Sequence, residues 1–410
     1  MASPWIAERA GLCTRLNDPE TLFDADCGTR SLKGRLPLLR CLHLCAAPAA
    51  SPQGETVVAL LSALAAMAGE DSAPPFIQRA VVSADWAPAL SGSGVGQRTA
   101  PYRSFMDLVT RRRIADEIAI VRPDLVLIWG AEAARALDRP RPGLDRAANG
   151  KTVRLGILMG YEDIAPFAHA GARRLVAPTQ DLVDYAREQG WPPDEVGLLA
   201  PVVPEPATTG GPSPLARQRW DTPEGVDLVA VPARDRSGTA LLLDAWAELP
   251  DVWLWLLPYG RRTKRLKKAI RQAGLTDRVR LVDDAETAVT TADLAVIARQ
   301  DDPIGLPVIS CWAAGRPTVA LAAPGPAALI GHDRDGLLVA PDDPHALALA
   351  VDRLLVDPLQ ADRLAAAGRT AYEQGYTAAK ATERWQLTLE VLAGPPLAKK
   401  PGDAGTDIRV

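Results

Sequence analysis

The stretch Ala292-Asp-Leu-Ala-Val-Ile-Ala-Arg-Gln-Asp-Asp-Pro-Ile-Gly-Leu-Pro-Val-Ile-Ser-Cys-Trp-Ala-Ala-Gly-Arg-Pro-Thr-Val-Ala320 decides how the rest of the chain is read. Leu294–Ala298 is a short apolar run of strand length, and a polar loop follows it. A helix then runs from about Gly305 to Ala314, Gly315 stops it, and Thr318–Leu321 is the next strand. Gly305 lets a ligand approach the backbone closely. The first N–H groups of the helix and the positive end of its dipole make that turn a natural seat for a diphosphate or another anion.

Outward from this unit the pattern repeats. Asp227–Val231, Val252–Leu257 and Val279–Val282 read as strands, with helices at Thr239–Glu248 and Arg262–Ala273 between them. Helices at Pro344–Leu355, Leu359–Glu373 and Ala378–Leu392 follow. Upstream, Leu39–Cys45, Gln78–Ser83, Asp124–Trp129, Val153–Met159 and Arg174–Val176 alternate with helices Thr56–Ala68, Phe105–Ile120 and Gln180–Gln189. Strand–helix alternation of this kind implies parallel sheets with helices on both faces. Pro201–Pro214 holds five prolines and two glycines and separates two such regions.

The expected organisation is an irregular arm over 1–37, a Rossmann-like domain over 38–204 and a linker over 205–216. A second Rossmann-like domain spans 217–377, a helix at 378–394 packs back on the first, and 395–410 form a tail. The fold class is α/β, two doubly wound domains facing each other across a cleft, where open sheets bind ligands at the carboxyl ends of their strands. At ~150 residues per domain, 410 residues suit that count.

Composition narrows the function. A net charge of -4 provides no overall basic surface for nucleic acid, so no nucleic-acid partner is expected. Five cysteines (Cys13, Cys27, Cys41, Cys45, Cys311) form no disulfide framework, and four histidines without a His/Cys cluster suggest no metal centre. No apolar run approaches the ~20 residues of a membrane span. The N-terminus lacks a basic start followed by an apolar core. A cytoplasmic protein is expected, with peripheral contact at the inner membrane face left open.

Within 292–320 the chain resembles the retaining GT-B enzymes grouped as glycosyl transferases group 1. Gly305, Leu306 and Pro307 match the family motif, as do Trp312-Ala-Ala-Gly315 and Pro317. Downstream, Asp335-Gly-Leu-Leu-Val339, Asp343-Pro344 and Asp357-Pro358 continue the likeness. The resemblance implies transfer of a sugar from a nucleotide-sugar donor, with retention and without a metal or cofactor, to a glycan, lipid-linked or small-molecule acceptor. It puts Asp302 at the first family Glu, which contacts the transferred sugar, and Ser310 at the second, which contacts the ribose.

The family's Arg/Lys pair for the diphosphate has no strict match. Arg234 and Arg236 lie in that loop at shifted positions, and Arg261 follows the strand Val252–Leu257. His169 is the candidate for a cleft histidine of the first domain. Asp302 is equally readable as the cap of its helix, with Pro303 in the first turn. Ser310, midway along its helix, reads more readily as a packing residue than as a ribose contact. Glu162 and Asp163 are paired carboxylates near the same rim, with nothing in the sequence to indicate altered acidity. Two alternatives stay open: a non-catalytic binding protein with an eroded donor site, and a nucleotide-sugar epimerase of the same architecture.

Overall fold

The computed structural model describes residues 38–49, 51–67, 76–102, 107–137, 152–162, 164–207, 213–232, 238–257 and 263–393. Two all-parallel sheets dominate them. The first has strand order β3-β2-β1-β4-β5-β6-β7, from β1 (Leu39–Cys45), β2 (Phe76–Val82), β3 (Gly96–Thr99), β4 (Leu125–Trp129), β5 (Val153–Ile157), β6 (Arg174–Ala177) and β7 (Val196–Leu198). The second runs β10-β9-β8-β11-β12-β13, from β8 (Leu228–Val231), β9 (Trp253–Leu256), β10 (Val279–Leu281), β11 (Leu294–Ile297), β12 (Thr318–Leu321) and β13 (Leu337–Val339). In each sheet the order reverses once, between β1 and β4 and between β8 and β11. Crevices open at such reversals, beyond the carboxyl ends of the strands.

The first sheet is covered on both faces, and its side chains sort with period two. Leu42, Leu44, Val126 and Ile128 face α2 (Leu108–Val121), α3 (Gly130–Leu137) and α5 (Gln180–Glu188), meeting Ile114, Ala134 and Leu182. Cys41, Cys45, Leu127 and Trp129 face α1 (Pro52–Ala66) and α14 (Ala378–Ala393), meeting Leu60, Leu64 and Leu389. The short helix α4 (Ala165–His169) joins β5 to β6. Polar side chains fix the helix starts: Ser51 caps α1, Asp107 caps α2 and Thr179 caps α5.

The second sheet packs Val229, Leu254 and Val296 against α7 (Thr239–Ala247), α12 (Pro344–Val356) and α13 (Pro358–Gly375). On its other face lie α6 (Pro214–Arg219), α9 (Ala285–Thr291) and α10 (Leu306–Ala313). The basic helix α8 (Thr263–Gln272) covers the β9–β10 side, and α11 (Pro324–Leu329) follows β12. Within the Pro-rich stretch, Pro214 opens α6 instead of excluding a helix: Ser213 caps it, and proline is tolerated in a first turn. Strand β3 is missing from the sequence reading because Gly-Gln-Arg-Thr at a sheet edge carries no apolar alternation.

The final helix returns to the first domain. Trp385 is 3% exposed, stacks on Trp129 with ring centroids 5.4 Å apart, and donates from Nε1 to the Ala200 carbonyl at 3.2 Å. Trp129 in turn donates to Nδ1 of the fully buried His43 at 3.3 Å. Burial holds the His43 imidazole neutral, with its pKa pushed down to about 3. Tyr372 on α13 adds a hydrogen bond to the Val203 carbonyl at 3.0 Å. The segment that leads from the first domain to the second, around Ala200–Val203, is thus held by Trp385 of the final helix and by Tyr372 of the second domain. Trp385→Ala should therefore destabilise the protein by about 3–5 kcal/mol. Urea denaturation followed by circular dichroism measures this, and a loss under about 1 kcal/mol would contradict the packing role.

Candidate active site

The cleft wall of the second domain begins where β11 ends. Asp302 lies five residues past Ile297 and is 3% exposed. Its Oδ1 accepts hydrogen bonds from the amides of Ile304 (3.2 Å) and Gly305 (2.9 Å), and its carbonyl accepts from the Gly325 amide (2.8 Å). Gly305 has φ +78, the left-handed region open to glycine, and Leu306 and Pro307 then start α10. A Cβ on Gly325 would fall 2.3 Å from the Gly305 nitrogen. The start of α11 therefore lies directly on this loop, and only a bare backbone fits.

Asp302 caps the turn, as one of the two sequence readings has it. Its second oxygen is more informative. Oδ2 is buried and finds no hydrogen-bond partner among the described residues. Burial raises the pKa of this carboxyl, and the Gly305 amide, Arg299 and the Ile304 amide only partly offset it. The amides of Ile304 and Gly305, expected to receive an anion, are already engaged by the carboxylate. Gly305, Leu306 and Pro307 are gathered with Asp302. Ser310 sits farther along α10, and its hydroxyl donates back to the Leu306 carbonyl at 3.2 Å.

The opposing wall comes from the carboxyl edge of the first sheet. After β5 the chain passes through Leu158, Met159, Gly160 and Tyr161 to Glu162. Glu162 Oε1 accepts from the Ala131 amide at 3.1 Å, the first turn of α3, and its carbonyl accepts from the Tyr185 hydroxyl at 3.0 Å. Burial raises the Glu162 pKa, against backbone donors and Arg135. This corrects the sequence reading, which found no sign of altered acidity there; Asp163 lies outside the described residues. The walls meet where the Thr179 hydroxyl donates to the Pro303 carbonyl at 3.4 Å. Between them lies a small, mostly apolar pocket lined by Trp129, Met159 and Pro178, by Ile304 and Leu306, and by Trp385. Pockets at such switch points are where open α/β folds bind ligands.

His169 is not part of this assembly. It is an exposed residue at the end of α4, and its neighbour Ala170 takes a hydrogen bond from Arg154 at 2.7 Å. Arg154 is at the amino end of β5, so His169 lies toward the edge of the sheet remote from the cleft. The parallel crossover from β5 to β6 requires this, since its chain must return to the amino edge before β6 begins. Arg234, Arg236 and Arg261 lie outside the described residues. The strands preceding them, β8 and β9, end at Val231 and Leu256 on the same edge as Ile297.

The comparisons with known proteins agree with this architecture. Residues 215–371 match the family described as Glycosyl transferases group 1. The lipopolysaccharide core biosynthesis glycosyltransferase LpsD of Rhizobium meliloti is 30% identical over 251 residues, 60% of this chain and 69% of that protein. LpsE of the same organism, also a lipopolysaccharide core biosynthesis glycosyltransferase, is 27% identical over 281 residues, 67% of this chain and 77% of its own length. The crystal structure of Anabaena HepE in complex with UDP-glucose superposes with a TM-score of 0.72 at 15% identity, covering 86% of this chain and 100% of that one. With two facing parallel sheets and a match over most of LpsD, the chain belongs to the group 1 glycosyltransferases of GT-B fold.

Proposed function

We propose that the protein transfers a sugar from a nucleoside-diphosphate sugar to a glycan acceptor of the lipopolysaccharide-core kind, with retention at the anomeric carbon. The observation that carries this reading is the buried Asp302 carboxylate in the interdomain wall, with Oδ2 unpartnered among the described residues and Oδ1 fixed by two amides. A carboxylate held in this way is a strong acceptor for a sugar hydroxyl. The donor and acceptor classes are supported by the UDP-glucose held by HepE and by the core biosynthesis roles of LpsD and LpsE.

In this reading the diphosphate lies beyond the carboxyl ends of β8 and β11. Asp302 already occupies the Ile304 and Gly305 amides, so countercharge for the leaving group comes from Arg234, Arg236 and Arg261. The bond between the anomeric carbon and the β-phosphate oxygen breaks as the acceptor oxygen bonds on the same face. The hydroxyl proton passes to the departing phosphate. No metal or cofactor enters this scheme. The enzyme then works in the cytoplasm, at the inner membrane face where such donors and a lipid-linked acceptor meet. Among the described residues no helix is long and apolar enough to cross a membrane.

Calorimetric titration with a panel of nucleoside diphosphates should give saturable heat for one base, and heat from none would contradict a nucleotide-sugar donor. Slow release of free sugar from the matching donor without acceptor should accompany it. Binding without any turnover, with or without acceptor, would favour the non-catalytic reading, which the engaged Ser310 hydroxyl supports.

A second expectation concerns stability. The Asp302 pKa is raised in the folded state, so the unfolded chain releases this proton more readily, and the charge opposes folding as pH rises through the folded value. Asp302→Asn keeps an oxygen for the two amides but carries no charge. It should raise the melting temperature at pH 7, with the gain shrinking as the pH falls through the raised folded value. A loss of stability at pH 7 would contradict this.

A further inference from the structure

We propose that Glu162 is an acceptor-binding residue whose Oε2 takes a hydrogen bond from a hydroxyl of the incoming glycan beside the attacking one. The inference deepens the reading above and rests on it.

Glu162 stands on the first domain's wall, directly after the strand whose carboxyl end borders the pocket. Oε1 takes the Ala131 amide at 3.1 Å, backbone donors at Met159 and at Glu162 itself also act on the carboxyl, and the Tyr185 hydroxyl anchors the residue's main-chain carbonyl at 3.0 Å. The carboxylate plane is therefore set by the scaffold before any ligand arrives, the condition for a specific polar contact. Bare backbone borders the carboxylate. A Cβ on Gly130 would come within 3.5 Å of Oε1, and one on Gly160 within 3.1 Å of Oε2. The same point above Gly160 is 3.6 Å from Pro303 Cγ, beside Asp302. Oε2 thus looks across a small-residue gap to the loop assigned to the donor sugar. An acceptor must enter from this side, since the second domain holds the donor.

A purely structural cap needs none of this. Asn or Ser caps a helix as well as a carboxylate does and leaves no buried charge. For Glu162 burial outweighs its partners and the pKa rises, whereas partners outweigh burial at Asp85 and Asp124 and bring theirs down. Perturbed carboxylates in clefts concentrate at functional sites.

The test compares wild type, Glu162→Gln and Gly160→Ala. The donor is the nucleotide-sugar that turns over in the screen above, and the acceptor is deacylated lipopolysaccharide core oligosaccharide. Glu162→Gln keeps an oxygen for the Ala131 amide and sheds a charge that burial disfavours, so it should melt no lower than wild type at pH 7 and should leave the donor KM unchanged. Its acceptor KM should rise about tenfold or more, the loss expected for one charge-assisted hydrogen bond. Gly160→Ala, which crowds Oε2 without touching its charge, should show the same acceptor-specific loss. An unchanged acceptor KM in Glu162→Gln would overturn the proposal. So would a parallel fall in acceptor-free sugar release, the mark of a structural role. If wild type releases and transfers no sugar, the glycosyl-transfer reading falls, and this inference with it.

Discussion

The site depends on one close contact: the backbone of Ile304 and Gly305 lying against Gly325, with the Asp302 carboxylate closing the turn beneath it. Two charge-assisted hydrogen bonds favour the ionised form, yet burial wins and the pKa moves up. The charge therefore works against the stability of the loop, and a neutral amide would cap it at less cost. Retaining a carboxylate there makes physical sense when its exposed need, an unpartnered Oδ2, is met by something that arrives. Strain of this kind is concentrated where proteins bind or react.

The second constraint is the way the chain ties the two walls together. The crossing segment is held by Trp385 on Ala200, Tyr372 on Val203 and an ion pair between Arg369 and Glu205. Nearer the cleft, Thr179 meets Pro303 and apolar packing is continuous from Ile128 and Phe167 to Ile304 and Trp312. Among the described residues the floor of the cleft is mostly apolar, with the Asp302 and Glu162 carboxylates on its two walls. That suits a sugar: ring faces pack on apolar surface, while a few carboxylates and amides fix the hydroxyls.

Much of the fold is legible in the sequence because buried parallel strands write themselves as short apolar runs. Leu125–Trp129 is buried at every position, and Leu39–Cys45 has the bounds its residues suggest. Edge strand β3 and helices α3 and α9 left weaker traces, being polar, alanine-rich or brief. Gly305, Leu306, Pro307 and Asp302 were legible as a group because they are contiguous. His169 was misplaced because counting along a sequence cannot say which edge of a sheet a short crossover has reached. The altered acidity of Glu162 gave no signal in the sequence: it arises from burial against parts of the chain, such as the start of α3, that are distant in sequence and meet only in the folded protein.

The most direct test of the central claim measures, in Asp302→Asn, the affinities for a nucleotide-sugar and for its bare nucleoside diphosphate. If Asp302 holds the transferred sugar, the diphosphate binds as in wild type, while the nucleotide-sugar loses the advantage that its sugar supplies. If both ligands bind as tightly as before, Asp302 is only the cap of its helix and the account of the donor site fails.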